Sequence, residues 1–339
     1  MTFRRNGSMP KSKNQKLKLL YIKDLLESNT DNKHGVTLNE IISHLASNGI
    51  DAERKSLYDD IELLRDVYGM EIQRQKIAKR VEYRLTERKF DLHELKLLGD
   101  AVQSSRFVTE KKSTELIGKL KSECSRYEAD KLSRQVLVSG RVKSMNESIY
   151  FNIDTVFDAI ASEKCIAFKY FSYTFDKQKK FHRDGSLYQV SPYALTYSNE
   201  NYYLIAHDFE SDELRHYRVD RMYGIELCDR ARDADRLFGK IDVARYTDMH
   251  FGMFGGEVQR LRIEFDQRLA SAVFDRFGID TVALDVGGGR YEVFVAVAVS
   301  EQFFGWLSGL GPAAKIKSPE KVKADYIEFL RKLLENANS

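Results

Sequence analysis

The stretch from residue 201 to residue 222, "NYYLIAHDFESDELRHYRVDRM", has the pattern of a short β-hairpin. Its first run, Tyr202 to His207, consists of aromatic and aliphatic residues that favour an extended strand. An acidic connection over residues 208–213 leads into a second strand-like run. The basic side chains of that second run are Arg215, His216, Arg218 and Arg221. Positive charge at this density beside aromatic residues indicates a binding site for an anion.

The whole chain has 339 residues and a net charge of only +3, so any basic function has to come from local clusters. Its length suggests several domains. No apolar run approaches the ~18 residues that span a bilayer, and the basic N-terminus lacks the apolar segment of a signal peptide. We therefore expect a cytoplasmic protein with no membrane partner. Three distant cysteines argue against a disulfide framework and a zinc site.

The N-terminal residues 14–89 have the order of a winged helix-turn-helix, three short helices followed by a β-hairpin. Thr37 and Glu40 form a capping-box pattern at the start of the second helix. Asp51 is expected to cap a third helix over residues 52–69, and an alternating pattern over residues 70–87 predicts the hairpin.

Basic residues in this first domain predict contact with double-stranded DNA. The start of the third helix is the part that reads bases in such domains, and the hairpin supplies positive charge that can neutralise phosphates. The residues predicted to bind DNA are Arg54, Lys55, Ser56, Tyr58, Arg74, Lys76, Lys79 and Arg80. The rest of the third helix is acidic, and a solvated charged hairpin on a domain that contacts another protein remains the alternative.

The remainder of the chain divides by its patterning. Residues 90–132 predict a helical connector, and the weakly patterned residues 133–147 predict a linker. Short strands over residues 148–230 predict a small antiparallel sheet or partly open barrel, with Pro192 at an edge or bulge. A βαββαβα pattern over residues 256–339 predicts an α+β sandwich. The fold class is therefore multidomain α+β.

The opening hairpin resembles the centre of a WYL domain. Residues 191–222, "SPYALTYSNENYYLIAHDFESDELRHYRVDRM", follow the course of that family, with Tyr202–Leu204 at the tripeptide that gives it its name. Tyrosine stands where the family usually has tryptophan. Upstream, "ERKSLYDDIELLRD" resembles the winged helix that precedes WYL domains in bacterial regulators. Downstream, "FFGWLSGLGPAAKIKSP" resembles the family's C-terminal WCX extension, with Trp306 at its characteristic tryptophan.

This resemblance implies a transcription factor whose WYL domain senses a ligand, in several members a nucleic-acid fragment or a nucleotide. It implies a homodimer that binds a pseudo-palindromic operator. By position, the implied effector-binding residues are Ser191, Tyr193, Tyr203, His216, Arg218 and Arg221. Arginine forks bind phosphates and aromatic rings stack on bases, so the residue types suit such a ligand. Tyr202 is interpreted as a core residue.

Other functions have less support in the sequence. The run Gly287–Gly289 precedes a strand and no Lys-Ser/Thr pair, so it is interpreted as a turn and not as a phosphate loop. His182, His207 and His216 match no metal-ligand spacing. We expect no cofactor, no metal and no catalytic residues. The alternative to a regulator is an accessory nucleic-acid-binding module whose winged helix contacts a partner protein or DNA without sequence preference. A nucleic-acid hydrolase comes last.

Overall fold

A computed structural model describes residues 15–132, 143, 146–233, 239 and 242–339. The chain separates into two compact units, residues 1–144 and residues 145–339. The predicted linker, residues 133–147, lies largely outside the described residues, as does most of the basic N-terminal tail. No helix within the described ranges is long and apolar enough to cross a membrane.

The first unit begins with three helices and a three-stranded antiparallel sheet in the order β1-β3-β2. The elements are α1 Lys18–Asn29, β1 Val36–Thr37, α2 Leu38–Ser47, α3 Arg54–Glu62, β2 Ile72–Ile77 and β3 Arg80–Leu85. A π-helical turn, Leu63–Val67, extends α3. One apolar cluster joins all three helices to the sheet through fully buried Ile22, Leu45 and Leu57. Helices and hairpin thus share one core, as in a winged helix.

The helix boundaries confirm one capping prediction and correct another. Thr37 accepts the backbone N–H of Glu40, and the Glu40 carboxylate accepts that of Thr37, so the predicted capping box is present. Asp51 does not cap the third helix: α3 begins at Arg54, with Glu53 at the cap position and no side-chain bond there. The helix starts later than predicted because residues 51–53 have no helical geometry.

Three further helices complete the first unit: α4 Leu92–Ser104, α5 Glu110–Ser122 and α6 Arg126–Leu132. Asp91 caps α4 through the backbone N–H groups of His93 and Glu94. The helical connector predicted over residues 90–132 thus consists of three helices, and residues 123–125 separate α5 from α6. Both helices pack on α4 around Leu95, Cys124 and Leu132.

The second unit opens with helix α7, Ile149–Ala161, and an antiparallel sheet. The strands are β4 Lys164–Tyr173, β5 Lys179–Phe181, β6 Tyr188–Ser198, β7 Asn201–Asp208, β8 Glu213–Arg218 and β9 Met222–Ala231. The order is β5-β4-β6-β7-β8, and β9 pairs with β4. The register shifts between Pro192 and Ala194, which confirms the predicted bulge at this proline.

A connecting segment, residues 242–256, carries the short helix α8, Val243–Met249. We call this segment the strap. The βαββαβα unit follows, with β10 Val258–Asp266, α9 Ala270–Phe277, β11 Ala283–Gly287, β12 Arg290–Ala298, α10 Glu301–Gly309, β13 Ala314–Ser318 and α11 Glu320–Asn338. Its sheet order is β11-β12-β10-β13. Residues from α9, α10 and α11 pack against one face of this sheet around fully buried Phe265, Val293 and Phe303.

Candidate nucleic-acid and effector sites

The β2–β3 hairpin presents its cations to solvent. Arg74, Lys76, Lys79 and Arg80 are all exposed. Strand β2 pairs with β3 from Ile72↔Leu85 to Ile77↔Arg80, so Ala78 and Lys79 form the tip. Exposed cations at the tip of a protruding hairpin can approach a phosphate without losing internal bonds.

Two other arginines of this region have structural roles. Arg88 donates to the backbone carbonyls of Glu27 and Thr30 at 2.7 and 2.6 Å. Arg84 donates to the carbonyl of Asn32 at 3.3 Å and to the Glu82 carboxylate at 3.1 Å. These guanidinium groups hold the end of α1 and the following loop, so they add little to a phosphate-binding surface.

The start of α3 is open to solvent in the way that base contact requires. Lys55 is exposed, Tyr58 is 43% exposed, and Arg54 donates to the side-chain oxygen of Asn39 at 2.7 Å. Ser56 donates to the carbonyl of Glu53 at 3.1 Å. The helix tip is therefore arranged by contacts to α2 and to its own first turn.

Part of the acidic charge of α3 and of the π-helical turn after it is compensated. Lys18 lies 2.6 Å from the Asp60 carboxylate, and Arg65 pairs with Asp66 at 2.7 Å. Burial raises the pKa of Tyr83 on β3, with a further increase from Tyr58 and an opposing effect of Arg74. Helix and hairpin thus lie close together at Tyr83, where their predicted DNA-binding residues meet.

In the second unit, strand register places most predicted effector residues on one face of the sheet. Ser191 pairs with His207, Ile205 with His216, and Tyr203 with Arg218. Since alternate residues share a face, Ser191, Tyr203, His216 and Arg218 lie on the same side. We call this side the hairpin face. The alternation predicted for His216 and Arg218 is present.

The strap covers part of the hairpin face. The ring of His216 contacts the Met253 carbonyl oxygen through Nδ1 at 2.9 Å and the Tyr246 hydroxyl through Nε2 at 2.8 Å. The carbonyl can only accept, so Nδ1 carries the proton and Nε2 accepts from Tyr246. Tyr203 and Ile205 are buried against Met253. A ligand that forms a hydrogen bond with either ring nitrogen of His216 would have to displace Met253 or Tyr246 of the strap.

Ser191 and Tyr193 are likewise engaged. Ser191 is fully buried, and its hydroxyl accepts the backbone N–H of Asp233 at 2.8 Å. Tyr193 donates to the carbonyl of Gly239 at 3.2 Å and packs beside Tyr203. Both residues fix the chain that leaves β9, which is a structural task that the sequence did not reveal.

After the end of β8, Arg218 and Arg221 both approach the Asp220 carboxylate, at 2.9 and 3.6 Å. The Arg218 guanidinium binds the Asp220 carboxylate at 3.0 and 2.9 Å and the Asn201 side chain at 2.7 Å. Arg221 follows in a 3-10 turn, with its guanidinium over the Tyr173 ring at 4.9 Å. Asp220 therefore neutralises part of the charge that the sequence offered to an effector.

Of the two tyrosines of the tripeptide, Tyr203 is the buried one and Tyr202, which was expected in the core, is the more exposed. Tyr203 is only 7% exposed and belongs to an apolar cluster, whereas Tyr202 is half-buried and stands beside Tyr197 with ring centroids 5.1 Å apart. Interpreting Tyr202 as the core residue was therefore wrong. The strap packs against the side of β7 that carries Tyr203. The residue pattern of β7 alone does not predict this contact, because the strap lies in a distant part of the sequence.

A cavity of about 670 Å³ follows the free edge of β8, between the ends of β4 and β5 and the strap. We call it the β8 cavity. Aromatic and imidazole rings dominate its lining, and the sequence reasoning had identified only His216 among them. The ring-bearing residues are Tyr170, His182, Tyr188, His216, Tyr217, Tyr246 and His250. Rings of this kind can stack on a planar base.

A buried carboxylate binds the hydroxyl of Tyr217, one of the residues that line this cavity. Asp208 is fully buried and accepts from the Tyr217 hydroxyl and from Arg183 at 3.0 Å. Burial alone would raise the pKa of Asp208, but these bonds and charges lower it. Tyr170 accepts the backbone N–H of Arg218 at 3.1 Å, and burial raises its pKa to about 12. Its hydroxyl therefore stays protonated and available as a donor.

The imidazoles beside the strap are uncharged near neutral pH. Burial, with a smaller contribution from His250, lowers the pKa of His216 to about 4. Burial also lowers the pKa of His250, whose ring centroid lies 4.9 Å from that of His216. Among the residues that line the β8 cavity, the remaining cation is Arg215, whose side chain is 44% exposed and lies 3.7 Å from Asp208 and 3.8 Å from Glu213.

Comparison with known protein families agrees with this architecture. Residues 152–227 match the model of the WYL domain, and residues 257–334 match that of the WCX domain. The chain therefore carries a WYL domain followed by a WCX domain. No curated protein matches the chain.

Two solved structures are similar to the chain. Proteasome accessory factor B/C (PafBC) of Arthrobacter aurescens is 18% identical with a TM-score of 0.30 over 100% of this chain, and the chain spans 52% of that protein. A CRISPR Cas-related protein is 12% identical with a TM-score of 0.38, and the match covers 88% of this chain and 77% of that protein. Because both TM-scores are low, the assignment of the WYL and WCX domains rests on the two domain matches.

Proposed function

We propose that the protein is a ligand-responsive, DNA-binding transcriptional regulator that acts as a homodimer. Its winged helix binds a double-stranded operator through α3 and the β2–β3 hairpin. A nucleotide or a single-stranded nucleic-acid fragment binds the WYL domain and changes operator affinity. The observation that supports this most is the exposed cationic hairpin, Arg74–Arg80, next to a helix tip that is free of ion pairs to its own acidic residues.

DNA binding is tested first by selection from a random duplex pool with the full chain. Anisotropy with the selected duplex then compares wild type, Arg54→Ala/Lys55→Ala and Lys76→Ala/Arg80→Ala across a salt series. The helix variant should lose preference for the selected duplex over a scrambled one. The hairpin variant should lose affinity for both and show a shallower salt dependence. Lys33→Ala, an exposed lysine outside both elements, is the matched control. Unchanged binding in both variants contradicts the assignment.

The effector site is proposed to combine the β8 cavity with Arg218. A base would stack among the cavity tyrosines while a phosphate competes with Asp220 for the Arg218 fork. Because the strap occupies His216, effector binding would also change the strap. A ligand shifts DNA affinity only by the difference in its binding to two arrangements. In this proposal they are the strap bound to His216, as described, and the strap displaced from it by the effector.

This site is tested in the Lys76→Ala/Arg80→Ala background, so that the winged helix contributes little. A short labelled single strand and a labelled mononucleotide are each titrated by anisotropy. Arg218→Ala and Tyr170→Phe should weaken binding of the true effector class, whereas Arg268→Ala, an exposed arginine of the same unit, should not. If Arg218→Ala and Tyr170→Phe bind both labelled ligands with the same affinity as the unsubstituted site, the effector does not bind at this site.

The second candidate function is an accessory nucleic-acid-binding module without sequence preference. The free Ala78–Lys79 tip favours it, because phosphate contacts carry no base information. Equal affinity for selected and scrambled duplex at matched salt would support this module and contradict the regulator.

A further inference from the structure

The C-terminal sheet has one face that no helix of its own domain covers. The helices α9, α10 and α11 pack against the face that carries Leu261, Ile263 and Val293. The other face displays the alternate residues of the central strands. In β12 these include Phe294, which is 48% exposed, and in β10 they include Arg260 and Arg262.

The strand order of this domain matches a known nucleic-acid-binding arrangement. Numbered within the domain, β11-β12-β10-β13 is the order second, third, first, fourth of a βαββαβ unit. RNA recognition modules use a four-stranded sheet whose exposed aromatic side chains stack on bases. A shared fold does not imply a shared function, so binding by the open face depends on its own side chains.

Phe294 is placed for stacking. It lies on a central strand, directly opposite Arg262, and its next neighbours on the same face of β12 are Ala296 and Glu292. Directly paired residues have Cβ atoms roughly 4.5–5.5 Å apart. An alanine on one side leaves the ring accessible, and an arginine on the other places positive charge beside any group stacked on it.

The charge of the open face favours an anion. Its cations are Arg260, Arg262, Arg290, Lys315 and Lys317, against the acidic Glu264, Asp266 and Glu292. Glu264 binds both Arg290 at 2.7 Å and Lys317 at 3.0 Å. Arg262 is 3.8 Å from Glu292 and its side chain is 43% exposed. Within the described residues, Arg260 and Lys315 make no ion pair, so they remain available to phosphates.

We propose that this open face, which we call the WCX sheet face, is a second binding surface for single-stranded nucleic acid. A base stacks on Phe294, and Arg260, Arg262 and Lys315 bind the phosphates on either side. The surface shares no residue with the β8 cavity or with Arg218. It therefore lengthens the bound strand or binds a separate one, independently of whether the WYL site senses an effector.

The test uses the full chain and a short oligothymidylate. The chain has one tryptophan, Trp306, which is half-buried, so Phe294→Trp adds an exposed fluorophore on the WCX sheet face. Its emission should be quenched on titration, with no such change in wild type. Phe294→Ala should weaken binding roughly 5- to 150-fold, the range for loss of one stacked base. Arg260→Ala/Arg262→Ala should reduce the salt slope by about 1.4 if each neutralises one phosphate of a single strand.

Ile279→Ala removes an exposed apolar side chain outside the sheet and serves as the control. Arg218→Ala separates this inference from the proposed effector site. Loss of oligothymidylate binding in Arg218→Ala, with no effect of Phe294→Ala and no quenching, overturns the inference and leaves the effector site standing. If Phe294→Ala instead alters sedimentation of the protein without nucleic acid, the face is a protein interface and the inference is overturned as well.

Discussion

The carboxylate of Asp31 accepts a hydrogen bond from the hydroxyl of Ser125 at 2.7 Å, and both side chains are buried. Asp31 lies in the loop after α1, and Ser125 directly precedes α6. Beside them, His34 stacks on Tyr127 with ring centroids 3.8 Å apart. The last helix of the connector is therefore attached to the winged-helix core.

Replacing Asp31 should loosen this attachment. Burial alone would raise the pKa of Asp31, but bonds from His34, Ser125 and two backbone N–H groups lower it to about 2. A lowered carboxyl pKa stabilises the fold above pH 4, and that stability is lost as the pH falls from about 4 to about 2. Asp31→Asn should lower the free energy of unfolding by about 2 kcal/mol at pH 7, measured by urea unfolding. It should also make that free energy depend less on pH between about 4 and 2. Asp24→Asn, at an exposed position on α1, should do neither.

The contact between His216 and the strap should weaken in mild acid. The pKa of His216 is about 4 in the folded protein and about 6.5 unfolded, so the unfolded chain binds the extra proton between these values. Stability should fall by up to about 3 kcal/mol as the pH drops from 6.5 to 4. Trp306 fluorescence during urea unfolding reports this unit. His216→Gln should reduce the pH dependence, and an unchanged slope would show that His216 is not buried as described.

Arg80→Ala should affect DNA binding without affecting stability, and Arg88→Ala should do the opposite. Arg80→Ala should lower the salt slope of DNA binding by about 0.9, the value for one phosphate contact, and leave the unfolding free energy unchanged. Arg88→Ala frees the carbonyls of Glu27 and Thr30 and should destabilise the unit by about 1–3 kcal/mol without changing the salt slope. The reverse pattern would mean that Arg88 faces the DNA.

Tyr217 should matter for stability through its hydroxyl alone. Tyr217→Phe keeps the ring among Phe168 and Tyr188 but removes a donor to the buried Asp208 carboxylate. We expect a loss of about 1–3 kcal/mol in urea unfolding. Tyr223→Phe, at a ring that is 52% exposed, is the matched control and should change nothing.

Two adjacent glycines at the end of the strap give an internal comparison. A Cβ at Gly256 would lie 2.1 Å from the carbonyl oxygen of Val299, whereas a Cβ at Gly255 would meet nothing within 4 Å. Gly256→Ala should cost about 1–3 kcal/mol or more, because a backbone atom has to move. Gly255→Ala should be nearly neutral. Thermal unfolding of both variants decides whether the strap joins β10 along the described path.

Local signals predicted most of the elements. The order of three short helices and a hairpin was readable in residues 14–89, the Thr37 capping box was visible as residue types at the right spacing, and Pro192 marked its bulge. The predicted start of α3 was wrong because Asp51 is a preferred capping residue by type, whereas Glu53, which occupies the cap position, is not. Only the backbone at residues 51–53 decides against it.

The candidate effector site was less accessible to sequence reasoning. Alternation along β8 correctly predicted that His216 and Arg218 share a face. The strand sequence did not predict that Tyr246 and Met253 contact His216. The β8 cavity draws Tyr170 and Tyr246 from positions 76 residues apart, by their sequence numbers. Such groupings depend on tertiary contacts, and single-sequence patterns describe only the neighbours along one element.

The pairing of β9 with β4 has a consequence for synthesis of the chain. Lys164 pairs with Ala231, so β4 remains without one neighbour until 67 further residues have been added. At typical elongation rates this takes roughly 3 to 13 s. During that time an aromatic strand that includes Phe168 and Phe171 has an open edge on the ribosome. Chaperone association with nascent chains should therefore peak before residue 231 emerges and decline once β9 closes the edge.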